Sequence, residues 1–157
     1  MRQEKGLMPL GKVSEIELIY RSKLKPSERP TIRTSRDAFV IFHAHFDKDK
    51  MELIEEFFAM FLNRANKVLG VYKVSSGGIT GTVADPRLIF AAAVKIGAVY
   101  ILLCHCHPSQ NLQASKADIE LTRKIKQGAN LLELRLLDHL IVTKTEGYYS
   151  MMDEGKI

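Results

Sequence analysis

Only two cysteines occur in this chain, Cys104 and Cys106, with a single residue between them. At i and i+2 they are poorly placed to bond to one another, which excludes the disulfide framework of a small secreted domain. No apolar run approaches the ~20 residues a helix needs to cross a bilayer, so a membrane-spanning helix is excluded too. The start, Met1-Arg2-Gln3-Glu4-Lys5-Gly6, lacks the apolar core of a secretory signal. Internal repeats and low-complexity tracts are missing as well. These absences leave a cytoplasmic protein with no membrane partner. Its 157 residues, 46% hydrophobic and 26% charged, are enough for one globular domain with a sizeable core.

The formal net charge of +5 is unevenly spread. Residues 1–36 hold nine Lys or Arg against four Glu, while residues 37–157 balance. Three of the five prolines (Pro9, Pro26, Pro30) also fall in the first thirty residues. We therefore divide the chain into a basic, proline-containing arm, residues 1–31, and a domain, residues 32–157. A basic arm can touch nucleic acid or an acidic partner. This one lacks the aromatic interleaving of a single-strand binder, and a solvated leader is the simpler reading.

Patterning within the chain predicts an alternation of strands and helices. Val13 to Ile19 alternates like a first strand. Thr34 or Ser35 caps a helix running toward Phe46, broken by Asp47-Lys48-Asp49-Lys50. Phe57 to Leu62 and Val68 to Val74 form a hairpin across Asn63–Lys67; Ser75–Gly78 is a turn, and Thr80 to Val83 a further short strand. Asp85-Pro86 starts a helix, with Asp at the cap and Pro in the first turn, ending near Gly97. Val99 to His105 is apolar on both faces, as a central strand is. A helix from Ser115 to about Gln127 is stopped by Gly128. Leu134 to Thr143 and Gly147 to Ser150 close the chain as strands. This order predicts an α/β sandwich-like domain with a mixed sheet.

Chemistry gathers where the central strand ends. His105 and His107 share one strand face, about 6.6 Å apart, so both imidazoles can reach one zinc at bonds near ~2.0–2.1 Å. Asp118 lies in the first turn of the next helix and can return a carboxylate to the same point. Two nitrogen ligands, one carboxylate and a place for water match a catalytic zinc site. Cys104 and Cys106 have the opposite parity and face the other side of the sheet. Competing readings are that the two histidines are ordinary polar residues, that Ser115-x-x-Asp118 is only a capping box, and that the cysteines join the histidines in a structural zinc site. The chain holds a second His-x-His, His43 and His45, but in a helix i and i+2 diverge by about 200°, and that pair is read as non-ligating. His139, inside an apolar strand, is read as a hydrogen-bonded core residue.

His105-x-His107, seven residues (Pro108 to Ala114), then Ser115-x-x-Asp118 resembles the JAMM motif of MPN-domain zinc metalloproteases without departure in spacing. The surrounding text resembles the RadC-like branch of that superfamily over roughly residues 32 to 157. It includes Asn63-Arg64-Ala65-Asn66-Lys67, Gly81-Thr82-Val83-Ala84-Asp85-Pro86-Arg87, His105-Cys106-His107-Pro108-Ser109, Asp118-Ile119-Glu120-Leu121-Thr122 and Leu137-Asp138-His139-Leu140-Ile141-Val142. Cys106 and Gln110 replace the Asn and Gly usual in the family. Neither is a ligand position, though Gln110 is expected to alter the loop leading to the helix.

The resemblance implies a JAB1/MPN-type (cytidine-deaminase-like) α-β sandwich with a mixed central sheet. It implies Zn2+ on His105, His107 and Asp118, and an upstream Glu that takes a proton from the zinc-activated water. Alignment puts that base at Glu55, with Glu56 the alternative; a slip of one residue flips the face, so only one can point at the metal. Ser115 would donate a hydrogen bond to the developing oxyanion. The function implied is a metallopeptidase or isopeptidase acting on a peptide or protein substrate. The alternative is a nucleic-acid-associated accessory protein, since RadC-like proteins carry a DNA-repair label. About thirty residues before the domain are too few for the helix-hairpin-helix module of other members, which weakens that alternative. A metal hydrolase acting on a non-peptide substrate is a third option.

Overall fold

β1 (Glu56–Leu62) is buried at every one of its seven residues. A strand apolar on both faces must be covered on both, and β1 indeed lies inside the sheet. The computed structural model describes residues 14–17, 19–78 and 83–157. β2 (Val68–Ser76), β3 (Tyr100–Cys106), β4 (Arg135–Val142) and β5 (Tyr148–Ser150) complete a five-stranded sheet in the order β2-β1-β3-β4-β5. β1 runs antiparallel to β2 and to β3, β4 is parallel to β3, and β5 returns antiparallel to β4. The sheet is mixed, as expected.

Three helices cover it. α1 (Ser35–His45) follows a capping box in which the Thr34 hydroxyl accepts from Asp37 N–H, so Thr34 rather than Ser35 is the cap. Ala38 and Phe42 of α1 pack with Phe58, Met60, Leu102, Cys104, Cys106 and Leu140 on one face of the sheet. α2 (Pro86–Lys95) begins at Asp85-Pro86 as the sequence indicates, and Asp85 accepts from Arg87 N–H. With α3 (Lys116–Leu131) it covers the opposite face, where Ile89, Ala93, Ile125 and Ala129 meet Phe57, Ala59, Phe61, Ile101 and Leu103. The alternation along β1 and β3 thus feeds two cores, the sandwich arrangement of a JAB/MPN-type fold.

Three expectations need correction or qualification. Val13 and Leu18 lie outside the described residues; Ser14–Glu17 and Ile19 form no strand, and Ile16 and Ile19 are exposed. Thr80, Gly81 and Thr82 lie outside the described residues, and Val83 is exposed outside any strand. Gly128 does not stop α3, which continues to Leu131. A Cβ at Gly128 would sit 2.7 Å from the Phe90 ring, so this glycine permits α2 and α3 to approach closely. The turn after α3 is made instead by Glu133, which has φ of 56°.

The pairing of β3 with β4 is irregular at one point. Its register shifts between Ile101 and Leu102: Leu136 lies opposite Ile101, whereas Asp138 lies opposite Leu102. One extra residue, Leu137, is absorbed there as a bulge. From that point on Leu103 faces His139, and His105 faces Ile141.

Candidate metal centre

β3 delivers both histidine rings to one edge of the sheet. His105 is its penultimate residue and fully buried; His107 follows immediately and is half-buried. The loop after His107 leads to Ser115, which caps α3: Ser115 Oγ accepts from Asp118 N–H at 3.0 Å, and Ser115 N–H donates to Asp118 Oδ2 at 2.8 Å. This reciprocal box fixes the first turn of α3 and with it the direction of the Asp118 side chain. The cap and the convergence on His105 and His107 are one arrangement, not rivals.

Asp118 Oδ1 lies 3.2 Å from His105 Nε2, and Oδ2 lies 3.4 Å from His107 Nε2. The two Nε2 atoms are 2.9 Å apart. All three residues offer ligand atoms within 4.8 Å of one another, enough to hold a metal ion. The donor set fits a borderline cation. His107 Nδ1 lies 2.6 Å from the carbonyl oxygen of Asn111, which can only accept, so Nδ1 carries the proton and a neutral His107 presents a bare lone pair at Nε2. A pair of nitrogens facing each other at this distance beside a carboxylate is what two nitrogen–zinc bonds of ~2.0–2.1 Å can bridge. Burial pushes the Asp118 carboxyl up, but the imidazoles of His105 and His107 packed against it and the Ser115 N–H outweigh it and hold the group well below the usual carboxylate range. Asp118 is thus an anion in this setting.

Glu55 precedes β1 and is tied to the hairpin by its carbonyl, which accepts from Gly77 N–H at 2.9 Å. It lines a cleft of about 330 Å³ together with His107, Pro108, Ser109, Asn111, Ser115 and Asp118. Burial raises its carboxyl pKa, the nearby histidines pull it down, and Asp118 raises it again. Glu56 has the other parity. It is buried beside Cys106, whose sulfur accepts from Glu56 N–H at 3.4 Å, and its carboxylate pairs with Lys73. Phe57 returns to the Glu55 side, lies opposite His105 in the ladder and stacks flat on its ring, 4° from parallel with centroids 5.7 Å apart. The structure therefore brings Glu55, His107, Ser115 and Asp118 to one cleft, with buried His105 behind it against His107 and Asp118, and leaves Glu56 on the other face.

Cys104 and Cys106 are free and buried in the α1-side core, away from this cluster as their parity requires. Burial pushes the Cys106 thiol up to about 11. His43 Nε2 lies 3.2 Å from Thr143 O, and His45 Nδ1 lies 2.7 Å from Ile41 O; among the described residues neither joins a metal-capable group. His139 is fully buried, with Nε2 at 2.8 Å from His105 Nδ1 and Nδ1 at 2.6 Å from Thr122 Oγ1. Its burial holds its pKa well below the ordinary imidazole value, and His105 adds to the effect.

Two contributors escape sequence reasoning. Thr122 lies four residues after Asp118 on α3 and hence on the same helix face; that spacing is the signal that could have found it. Asn111 acts through its backbone carbonyl, which no sequence pattern marks. Gln110 has φ of 63°, in the region that favours glycine. Its side chain holds the loop: Nε2 donates to the carbonyls of His107 and Pro108, and Oε1 accepts from Lys144 N–H at 3.0 Å.

Comparison with known proteins gives a consistent result. A family model described as RadC-like JAB domain matches residues 32–156. A UPF0758 protein of Flavobacterium johnsoniae is 44% identical over 124 residues, which cover 79% of this chain and 52% of that protein. A UPF0758 protein of Porphyromonas gingivalis is 36% identical over 155 residues, 96% of this chain and 67% of its own length. One from Syntrophotalea carbinolica is 31% identical over 158 residues, with 96% and 66% covered. The chain thus spans between about half and two thirds of the length of these relatives.

Proposed function

We propose, from the premise that this chain belongs to the RadC-like JAB domain family, that it is a zinc-dependent hydrolase of peptide or isopeptide bonds. The observation that carries the reading is the convergence of His105 Nε2, His107 Nε2 and the Asp118 carboxylate on a cleft that Glu55 also lines.

Zinc held by these three residues would supply Lewis acidity, lowering the pKa of a water in the cleft toward ~7. Glu55 takes a proton from that water onto its carboxylate and returns it to the departing amine nitrogen. Its half-buried position suits both steps, because burial makes the carboxylate a stronger base than a solvated one. Ser115 Oγ already accepts from Asp118 N–H, so its own proton is available to the oxyanion that forms on the substrate carbonyl. Phe57 covers the buried side of His105 and keeps water from that face of the ring.

Metal analysis combined with cleavage of a peptide library tests this reading. The wild-type protein is expected to hold about one zinc per chain and to cleave a subset of the library. Glu55→Gln is expected to keep the zinc and lose cleavage by roughly 10²–10⁴-fold, the usual worth of a general base. Equal cleavage by the two proteins would remove Glu55 from the mechanism; no zinc in the wild type would remove the metal.

A further inference from the structure

A buried chain of hydrogen bonds connects two of the proposed ligands through residues that touch no metal position. It starts at the backbone carbonyl of Asp118, which accepts from Thr122 Oγ1 at 2.6 Å. Thr122 Oγ1 lies 2.6 Å from His139 Nδ1, and His139 Nε2 lies 2.8 Å from His105 Nδ1. His105 Nε2 then faces Asp118 Oδ1 at 3.2 Å. The chain leaves Asp118 through its backbone and comes back to its carboxylate.

The donor inventory allows one proton order. A carbonyl only accepts, so the single Thr122 hydroxyl proton goes to Asp118 O. Giving it to His139 Nδ1 instead would leave two oxygens, Thr122 Oγ1 and Asp118 O, facing each other at 2.6 Å with no hydrogen between them, and Met151 Sδ at 3.4 Å is a weak acceptor. With its proton committed, Thr122 Oγ1 can only accept from His139, and His139 Nδ1 must therefore carry a hydrogen. His139 is fully buried and meets Thr122, His105 and the Phe57 ring, with no carboxylate in hydrogen-bonding contact, so a charged ring is costly there. A neutral ring protonated at Nδ1 is bare at Nε2. That bare nitrogen accepts from His105 Nδ1–H, and a neutral His105 is left with its lone pair at Nε2.

We infer that His139 is a positioning residue of the metal centre: with Thr122 it locks His105 in the Nδ1–H form and aims the Nε2 lone pair at the point shared by His107 and Asp118. The purpose assigned to it rests on the proposed zinc binding by these ligands. The arrangement does for His105 what the Asn111 carbonyl does for His107. The difference lies in burial, since the Asn111 contact is at the surface and the His139 chain is inside the core. Partners that orient ligating histidines in this way typically matter about 10–100-fold in metal affinity.

The test joins nitrogen NMR with zinc titration on the full chain. Long-range proton–nitrogen spectra of the metal-free wild type are expected to show His139 and His105 both protonated at Nδ1; a proton on His139 Nε2 would overturn the inference. In zinc competition titrations, His139→Leu is expected to bind about 10–100-fold more weakly. His139→Gln, which can present an acceptor near the same place, is expected to recover most of that loss, and Thr122→Val to show a smaller loss than His139→Leu. Cobalt substitution gives a second readout, an altered visible spectrum in His139→Leu that the glutamine variant restores. Wild-type zinc affinity and an unchanged cobalt spectrum in a folded His139→Leu protein would overturn the positioning role and leave the metal centre standing. A wild type that takes up no zinc defeats the metal reading instead, while the proton order is still decided by the NMR of the same sample. If His139→Leu does not fold, the glutamine and valine variants and the wild-type spectra decide.

Discussion

Two stretches of this chain carry the same ingredients and end in different states. Residues 34–45 hold a Thr-x-x-Asp box and a His-x-His pair; residues 105–118 hold a His-x-His pair and a Ser-x-x-Asp box. Both boxes cap a helix with the same reciprocal bonds. In the first stretch, the box and the pair sit on one helix. Asp37 spends its Oδ2 on the N–H groups of Arg33 and Thr34, and His43 and His45 turn to separate backbone carbonyls. In the second stretch the pair sits at a strand end and the box on the following helix. A strand returns the same face every second residue, whereas a helix has turned by about 200°. The spacing is shared; the backbone period decides whether the rings meet.

The contrast can be broken by experiment. The largest effect is expected on zinc: His107→Ala should weaken binding by more than roughly 100-fold, beyond the usual cost of losing an outer partner, and His43→Ala should leave it unchanged. Calorimetric titration of both proteins decides, and equal losses would erase the distinction between the pairs. Next comes stability. Thr34→Ala removes a cap and should lower the unfolding free energy by about 1 kcal/mol, read from the urea midpoint, with zinc affinity untouched. The smallest effect concerns pH. The N–H groups of Arg33 and Thr34 hold the Asp37 carboxyl below its ordinary value, so its folded pKa lies under its unfolded one. The stability it contributes is present above the unfolded value and is lost as pH falls through the folded one. Asp37→Asn should therefore lose less stability than the wild type between about pH 6 and pH 3; parallel losses in urea titrations would assign that dependence elsewhere.

Local signals were readable where a short-range rule fixes the outcome. Asp85-Pro86 starts α2 because a cap and a preset φ act within one turn. The opposite facing of His105 and Cys104 follows from strand parity alone. What escaped depends on partners distant in sequence. Gly128 looks like a helix end, but it is occupied by the approach of Phe90 from another helix. The alternation at Ile16 looks like a strand, but its described residues join no strand of the sheet. Thr122 is an ordinary helical threonine until β4 brings His139 against it. In each case the local pattern was sound, and tertiary context decided what it was for.

The bulge at Leu137 has a consequence for how the chain tolerates length changes. Leu137 and Asp138 both lie toward the α1 side, and the alternation resumes one step late. In a perfectly regular β4, His139 would stand opposite Cys104, among the thiols, and Asp138 opposite Leu103, on the face that now holds the imidazole chain. Adjacent strand residues always face apart; with Leu137 in the chain, it is the bulge that decides which face Asp138 takes and which His139 takes. Asp138 accepts from Ser150 and Met152 and anchors the C-terminal turn, while His139 serves the other side. Loss of Leu137 itself would close the bulge and leave Asp138 opposite Leu102 and His139 opposite Leu103, each on its present face: the strand carries one residue whose removal the site can absorb.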